Sequence, residues 1–241
     1  MTDVQDRFPR ASEAPPRTSW SSTFRRFPPG PMVVLRPLTL TVHDWAAPRP
    51  GQPQMFNHPF FEWFTGTRPR TLVLIFLPLS SGLLWAGLAA GWSPIASGVL
   101  FGSGAILWTF IEYLMHRFVF HLTPRGRLGV LFGYLIHGVH HAFPEDRRRW
   151  LMPPIVTVPV AAGLFVALRP LLGSAGLPVF AGILGGYLVY DLLHYAFHRG
   201  ALQGRLARYL RQHHLTHHYR MPESRFGVST PLWDRVFGTL R

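Results

Sequence analysis

The sequence predicts an all-α integral membrane protein with four transmembrane helices arranged as two hairpins. Three observations lead there. Four apolar stretches each approach the roughly 20 residues a helix needs to cross hydrocarbon. The arginines crowd on one side of the spans those stretches imply, and most of the histidines fall at helical spacings on that same side. The composition agrees, with 48% hydrophobic residues in a chain of 241.

Residues 1–54 are rich in Pro and Arg (EAPPR, RRFPPGP, APRPGQP) and cannot bury a core, so they are expected to form a mostly disordered arm. A short extended piece fits at PMVVLRPLTLTV. The first thirty residues hold no apolar h-region, so no cleavable secretory signal is expected. In NHPFFEWFTGTRPR, Phe56, Phe60, Phe61, Trp63 and Phe64 gather beside Arg68 and Arg70, a mix that fits a segment lying at headgroup level.

The spans follow at 71–92, 94–115, 155–173 and 177–195. Within each pair the connection is a few residues, which forces antiparallel hairpins. Arg68, Arg70, Arg117, Arg125, Arg127, Arg147, Arg148, Arg149, Arg199, Arg205, Arg208 and Arg211 then share one side, and only Arg169 sits near the other. The positive-inside rule turns the arginine-rich side, both termini and residues 116–150 toward the cytoplasm. The net charge of +13 could suggest nucleic acid. The arginines flank apolar runs rather than lining a basic face, however, so they read as topology determinants and anionic-lipid contacts, with no nucleic-acid partner. The absence of cysteine excludes disulfides, thiolate zinc sites, iron–sulfur clusters and thiolate haem.

Any metal must therefore bind nitrogen and oxygen. GYLIHGVHHAF carries His137, His140 and His141 at i, i+3, i+4, and HLTHH repeats that spacing at His214, His217 and His218. HYAFH sets His194 and His198 at i, i+4. All three patterns put imidazoles on one helical stripe. His116 and His121 in HRFVFH stand five apart, about 140° on an ideal helix, so they grip a site from two sides or leave a distorted helix end. Ten imidazoles exceed the roughly four to six ligands of one ion, which suggests two metals. His43, His58 and His213 read as surface or packing residues. Asp191, three residues before His194, is costly at intramembrane depth unless paired, and a ligand imidazole N–H would explain it; an Arg199 or backbone donor is the alternative. Glu112, one turn before His116, invites the same reading. Tyr187, Tyr190 and Tyr195 suit interfacial packing or substrate contact. GVSTPLWDRVFGT reads as a loop and a short amphipathic helix, with Asp234 placed either to pack or to hydrogen-bond a ligand histidine.

EYLMHRFVFH, HGVHHAFPEDRRRWLMPP, GYLVYDLLHYAFHRG, HHLTHHY and FGVSTPLWDRVFGT together resemble the membrane fatty acid hydroxylase / sterol desaturase superfamily, and within it the fatty acid 2-hydroxylase branch. The resemblance runs from about residue 55 to the C-terminus and marks 55–241 as the hydroxylase-like domain. It implies a cytosolic helical cap over the four spans and makes His116, His121, His137, His140, His141, His194, His198, His214, His217 and His218 the ligands of a dinuclear centre. It further implies O₂-dependent insertion of OH into a C–H bond of a lipid acyl chain, with two iron ions in the working enzyme and zinc able to occupy the same imidazoles. Eukaryotic members of the branch often carry a fused cytochrome b5 domain with an HPGG motif. The nearest text here is His58-Pro59-Phe60-Phe61, so electrons are expected from a separate carrier protein. Sterol, hopanoid or carotenoid oxidation, or desaturation, is the alternative within the superfamily. A metal transporter or a non-redox metal-binding membrane protein is the alternative outside it, disfavoured because the spans are apolar at mid-depth.

Overall fold

The computed structural model describes residues 30–35, 38–42, 50–56, 58–122 and 127–241. Gly30–Leu35 (β1) and Leu38–Val42 (β2) pair antiparallel with Val33 opposite Leu40. This hairpin occupies the extended piece expected in the arm and departs from an all-α chain. Much of the arm, including His43, lies outside the described residues. Pro59–Trp63 (α1) is a short turn whose His58 cap accepts the Phe60 N–H at 3.3 Å. It leaves Phe60 60% and Trp63 76% exposed, as a headgroup-level segment requires.

The apolar stretches are helical at Pro69–Ala89 (α2) and Pro94–Leu114 (α3), then, after intervening elements, at Pro154–Leu172 (α6) and Gly176–Arg199 (α7). Pro69, Pro94 and Pro154 each open a helix, where a fixed φ suits the turn and the missing N–H has no intrahelical use. Three segments are long and apolar enough to cross a membrane: Pro69–Ala89, Pro94–Phe120 and Arg147–Arg199. The last contains both α6 and α7, which meet at the turn Gly173–Ala175. They form an antiparallel hairpin, since Phe165 rings against Phe180 at 5.0 Å while Arg169 and Leu172 border Gly176.

Helix α7 is the buried centre. Gly104 of α3 faces Val179 of α7, while Trp108, further along, faces Gly186 and meets Tyr190 at 5.7 Å, so those two run parallel. Phe76 of α2 meets Tyr187 at 4.7 Å, Ser80 Oγ donates to the Ala181 carbonyl at 2.8 Å, and Gly87 lies on Pro178, so α2 runs antiparallel. The outer faces stay apolar, with Leu74, Trp85, Ile95, Val99, Ile106 and Val166 exposed, a surface suited to hydrocarbon. Arg127–Gly133 (α4), Val139–Ala142 (α5), Arg205–Tyr219 (α8) and Leu232–Val236 (α9) are the shorter helices of the histidine-bearing end.

The α3–α7 contact exists because two positions lack a side chain. A Cβ on Gly104 would lie 1.9 Å from the Val179 carbonyl oxygen, and one on Gly182 would lie 1.9 Å from that of Phe101. Backbone cannot yield there without parting the helices. We expect Gly182→Ala to cost about 1–3 kcal/mol or more, read as a lowered thermal midpoint in detergent. Gly98→Ala, with open space around it, should leave the midpoint unchanged or raise it.

Candidate metal centre

Ten histidines from four parts of the chain converge as two groups of five, with the candidate ligand nitrogens in each within 4.8 Å of one another. One group is His116, His121, His137, His141 and His217; the other is His140, His194, His198, His214 and His218. The expected single stripes are thus divided. Residues four apart on a helix differ by only about 40°, so His137 with His141, His194 with His198, and His214 with His218 stay together. The residue between, His140 or His217, turns toward the other group. His141 and His218 stack at 4.2 Å between centroids where the groups abut.

His116 and His121 share a group because the helix widens between them. Met115–Phe120 is a π-helical turn in which the His121 N–H reaches the His116 carbonyl at 3.2 Å, five residues back. The extra residue per turn brings i and i+5 onto one face. Tyr134–Gly138 is a second π turn, immediately before His140 and His141.

Backbone carbonyls orient the rings. His116 Nδ1 donates to Phe226 O at 2.6 Å, His194 Nδ1 to Trp150 O at 2.6 Å, and His217 Nδ1 to Ser224 O at 2.7 Å. A carbonyl only accepts, so each Nδ1 carries the proton and each Nε2 presents a bare lone pair inward. Nε2 atoms meet at 3.1 Å between His116 and His137 and between His121 and His217, and at 3.0 Å between His140 and His194 and between His198 and His214. His218 is buried with neither ring nitrogen hydrogen-bonded among the described residues. Such burial costs about 1–3 kcal/mol per polar group, a penalty that a cation among the lone pairs removes. Burial, and then neighbouring imidazoles, hold His137, His140, His141, His214, His217 and His218 well below their ordinary 6.5, in the neutral form that binds metals. The donor set fits two metal ions.

Among the described residues none of the carboxylates of Asp191, Glu112 and Asp234 hydrogen-bonds a histidine of either group, and Asp191 takes the backbone donor that was its alternative. Asp191 accepts from the Tyr187 hydroxyl at 2.9 Å and from the Met152 backbone, while the His194 N–H goes to Trp150. Glu112 touches no histidine: it accepts the Val228 and Ser229 N–H groups at 2.6 and 2.9 Å and the Ser229 hydroxyl at 2.5 Å. Asp234 pairs with His213, at 3.1 Å, rather than with a histidine of either group. It also accepts from Phe226 N and Gly227 N at 2.8 Å and from the Thr239 hydroxyl at 2.7 Å. Burial opposes its charge, but these donors outweigh that and hold its pKa below the usual value. Glu112 and Asp234 therefore shape the 224–229 loop, whose carbonyls then orient His116 and His217. Tyr190 stacks nearly flat on His194, at 9° and 6.1 Å. Trp233 and Phe237 pack on Phe110, while Val236 stays exposed.

Sequence reasoning missed Arg149. It is buried, donates to Glu62 at 2.7 Å and Thr65 at 3.1 Å, and also binds Asp146. Its neighbour Trp150 donates its indole N–H to Pro144 O at 2.7 Å and stacks on His198 at 5.5 Å. Burial of a charge with two acids was visible only as the RRR run. A pocket of about 40 Å³ touches both groups through His137, His140 and His194, and is otherwise lined mainly by Phe120, Leu135, Ile136, Leu151, Met152 and Tyr190.

Two outcomes are expected. Asp234→Ala frees the loop bearing the Phe226 and Ser224 carbonyls and should lower metal content at the His116 group more than at the other, read by metal analysis alongside the corresponding spectra. In chelator-treated protein, imidazoles kept neutral in the fold take up protons once unfolded below about pH 6.5. Their contribution to stability is present above that pH and lost as pH falls, so the thermal midpoint should drop between about pH 7.5 and 5.5.

Residues 101–239 match the fatty acid hydroxylase family. The chain is 34% identical over 189 residues to a dihydroceramide fatty acyl 2-hydroxylase, FAH2, of Arabidopsis thaliana, covering 78% of this chain and 80% of that protein. It is 40% identical over 145 residues to the fatty acid 2-hydroxylase of Mus musculus, covering 58% of this chain but only 39% of that one. The solved structure of full-length scs7p, in which only the hydroxylase domain is visible, superposes with a TM-score of 0.75 at 33% identity, covering 81% of this chain and 75% of that one. On its sequence and its fold, this chain belongs to the fatty acid hydroxylase family.

Proposed function

We propose that this protein is a membrane-bound hydroxylase that uses two metal ions, O₂ and externally supplied electrons to place an OH on a lipid acyl chain, next to the carbonyl carbon. The observation that carries the reading is one small apolar pocket bordered by imidazoles of both five-histidine groups. The ten histidines are its metal ligands. When bound there, a pair of iron ions supplies reductive O₂ activation, chemistry that zinc in the same imidazoles cannot provide.

The chain's own residues do the rest. The carbonyls of Trp150, Ser224 and Phe226 keep three imidazoles in the tautomer that points a lone pair inward. Phe120, Leu135, Ile136, Leu151 and Met152 exclude water and hold the acyl carbon within reach. Tyr190 meets the substrate against the His194 ring; Asp191, through Tyr187, and Asp234, through the 224–229 loop, position rather than contact it. We assign residues 55–241 to this domain and read residues 1–54 as a separate arm.

Supported by the antiparallel α6–α7 hairpin and the arginine distribution, α2, α3, α6 and α7 make four spans with both termini and the histidines on the cytoplasmic side. The shorter helices then form the cytosolic cap. A separate electron-transfer protein docks on that side.

The test is metal analysis together with lipid analysis of cells expressing wild type or His217→Ala under air. We expect two iron equivalents and a lipid heavier by one oxygen in the wild type, with both reduced in the variant. An unsaturated product instead would make the enzyme a desaturase, and the absence of bound metal would overturn the reading.

A further inference from the structure

The pocket at the histidines is far too small for more than the reacting part of a lipid, at about 40 Å³. Beside it lies a second, open cavity of about 1040 Å³. Thr65 and Pro153 line both, so the two are neighbours through a shared wall. The large cavity sits where α2 and α6 begin, against Trp63 and Phe64 of the headgroup-level segment.

Its charge is one-sided. Arg68, Arg70 and Arg148 line it, with Glu62 as the acidic counterpart. Glu62 is already engaged: Arg149 Nη2 donates to it at 2.7 Å, and the backbone N–H groups of Met55 and Phe56 do so at 2.8 and 2.9 Å. Arg148 leans on Asp146 at 3.5 Å and on Glu62 at 3.9 Å. Arg68 and Arg70 have no acidic partner within salt-bridge distance among the described residues, and both are exposed. Between these cations the wall is apolar, formed by Pro59, Ile75, Pro154 and Ile155 among others. An apolar cleft rimmed with unneutralised guanidinium groups matches an amphiphile whose polar end is anionic.

We propose that this cavity holds the phosphate-bearing head group of the lipid whose acyl chain reaches the histidine pocket. The inference rests on the hydroxylase reading and narrows its substrate: the acyl chain is already attached to an anionic head group when it is oxidised. A free fatty acid places its carboxylate beside the carbon to be hydroxylated and leaves the large cavity unfilled. A head group carried several bonds beyond the acyl carbonyl passes Thr65 and Pro153 and reaches the arginines. Arg68 and Arg70 are then specificity-determining residues, with fork geometry suited to phosphate oxygens.

Binding and turnover test this separately. Full-length metal-loaded protein in detergent is titrated with short-chain phosphatidic acid, the matching diacylglycerol and inorganic phosphate, in wild type, Arg68→Gln/Arg70→Gln, and Arg205→Gln/Arg235→Gln as a control for bulk charge. We expect the phosphate lipid to bind about tenfold or more tighter than the diacylglycerol, and the first double variant, but not the control, to abolish that advantage. Equal binding of charged and neutral lipids, equal loss in both double variants, or inorganic phosphate binding as tightly as the lipid would overturn the proposal. Turnover of matched ceramide and ceramide phosphate, with reductant and O₂, should show KM raised in Arg68→Gln/Arg70→Gln for the phosphate substrate alone. Hydroxylation of both substrates with the same kinetics in wild type and variant would sink the head-group assignment while leaving the hydroxylase reading intact. Product from neither substrate, with the binding difference present, would sink the hydroxylase reading while the anionic-lipid site stands.

Discussion

Everything at the histidine end depends on keeping many imidazoles buried, uncharged and aimed the same way. An imidazole is a poor ligand when protonated and ambiguous when neutral, because either nitrogen can carry the proton. Burial settles the charge. Backbone carbonyls settle the tautomer at His116, His194 and His217, using oxygens from Phe226, Trp150 and Ser224. A carbonyl is better suited to this than a carboxylate in a low-dielectric site, since it orients the ring without adding a charge that must itself be neutralised. The carboxylates that are present stand one step further out, folding the loop that supplies two of those carbonyls.

The same logic links the site to the rest of the molecule. Helices α3 and α7 run side by side and deliver His116 and His194 at corresponding ends, which the small residues Gly104 and Gly182 permit by letting the backbones touch. Arg149 ties the segment carrying Glu62 to the loop carrying Trp150, whose carbonyl orients His194. The entry to the histidine pocket and the orientation of one ring are thus fixed by the same short stretch of chain.

Much of this was legible from the residues. Spans, and the histidines that would gather, follow from hydropathy and helical spacing, and these signals are local. The division of the histidines into two groups was not legible, because it turns on rotation about each helix axis and on a π turn that inserts one residue between His116 and His121. The choice between the two readings of Asp191, and the partners of Glu112, escaped the sequence for a related reason. Each lies one turn from a histidine, which suggested pairing, yet Glu112 is met by the amides of Val228 and Ser229, more than a hundred positions away. Backbone donors and acceptors leave no mark in the side-chain sequence, so the partners of His116 and His194, and the Met152 donor of Asp191, had no signal to read. Tyr187, one turn before Asp191, did. Arg149 shows the same limit, since its acid Glu62 lies 87 residues earlier.

The alternation of His137, His140 and His141, and of His214, His217 and His218, between the two groups makes two short helical segments common property. Each acts as a crosspiece, with the neighbouring rings of His140 and His141, and of His217 and His218, turned to different groups. The interval between the groups is therefore set by the angle of about 100° between successive side chains on one helix, held by its backbone hydrogen bonds, rather than by how the membrane helices lean. Bending or tilting of the spans in a bilayer of changing thickness can move the assembly as a whole, but the gauge between its two halves is cut into the backbone itself.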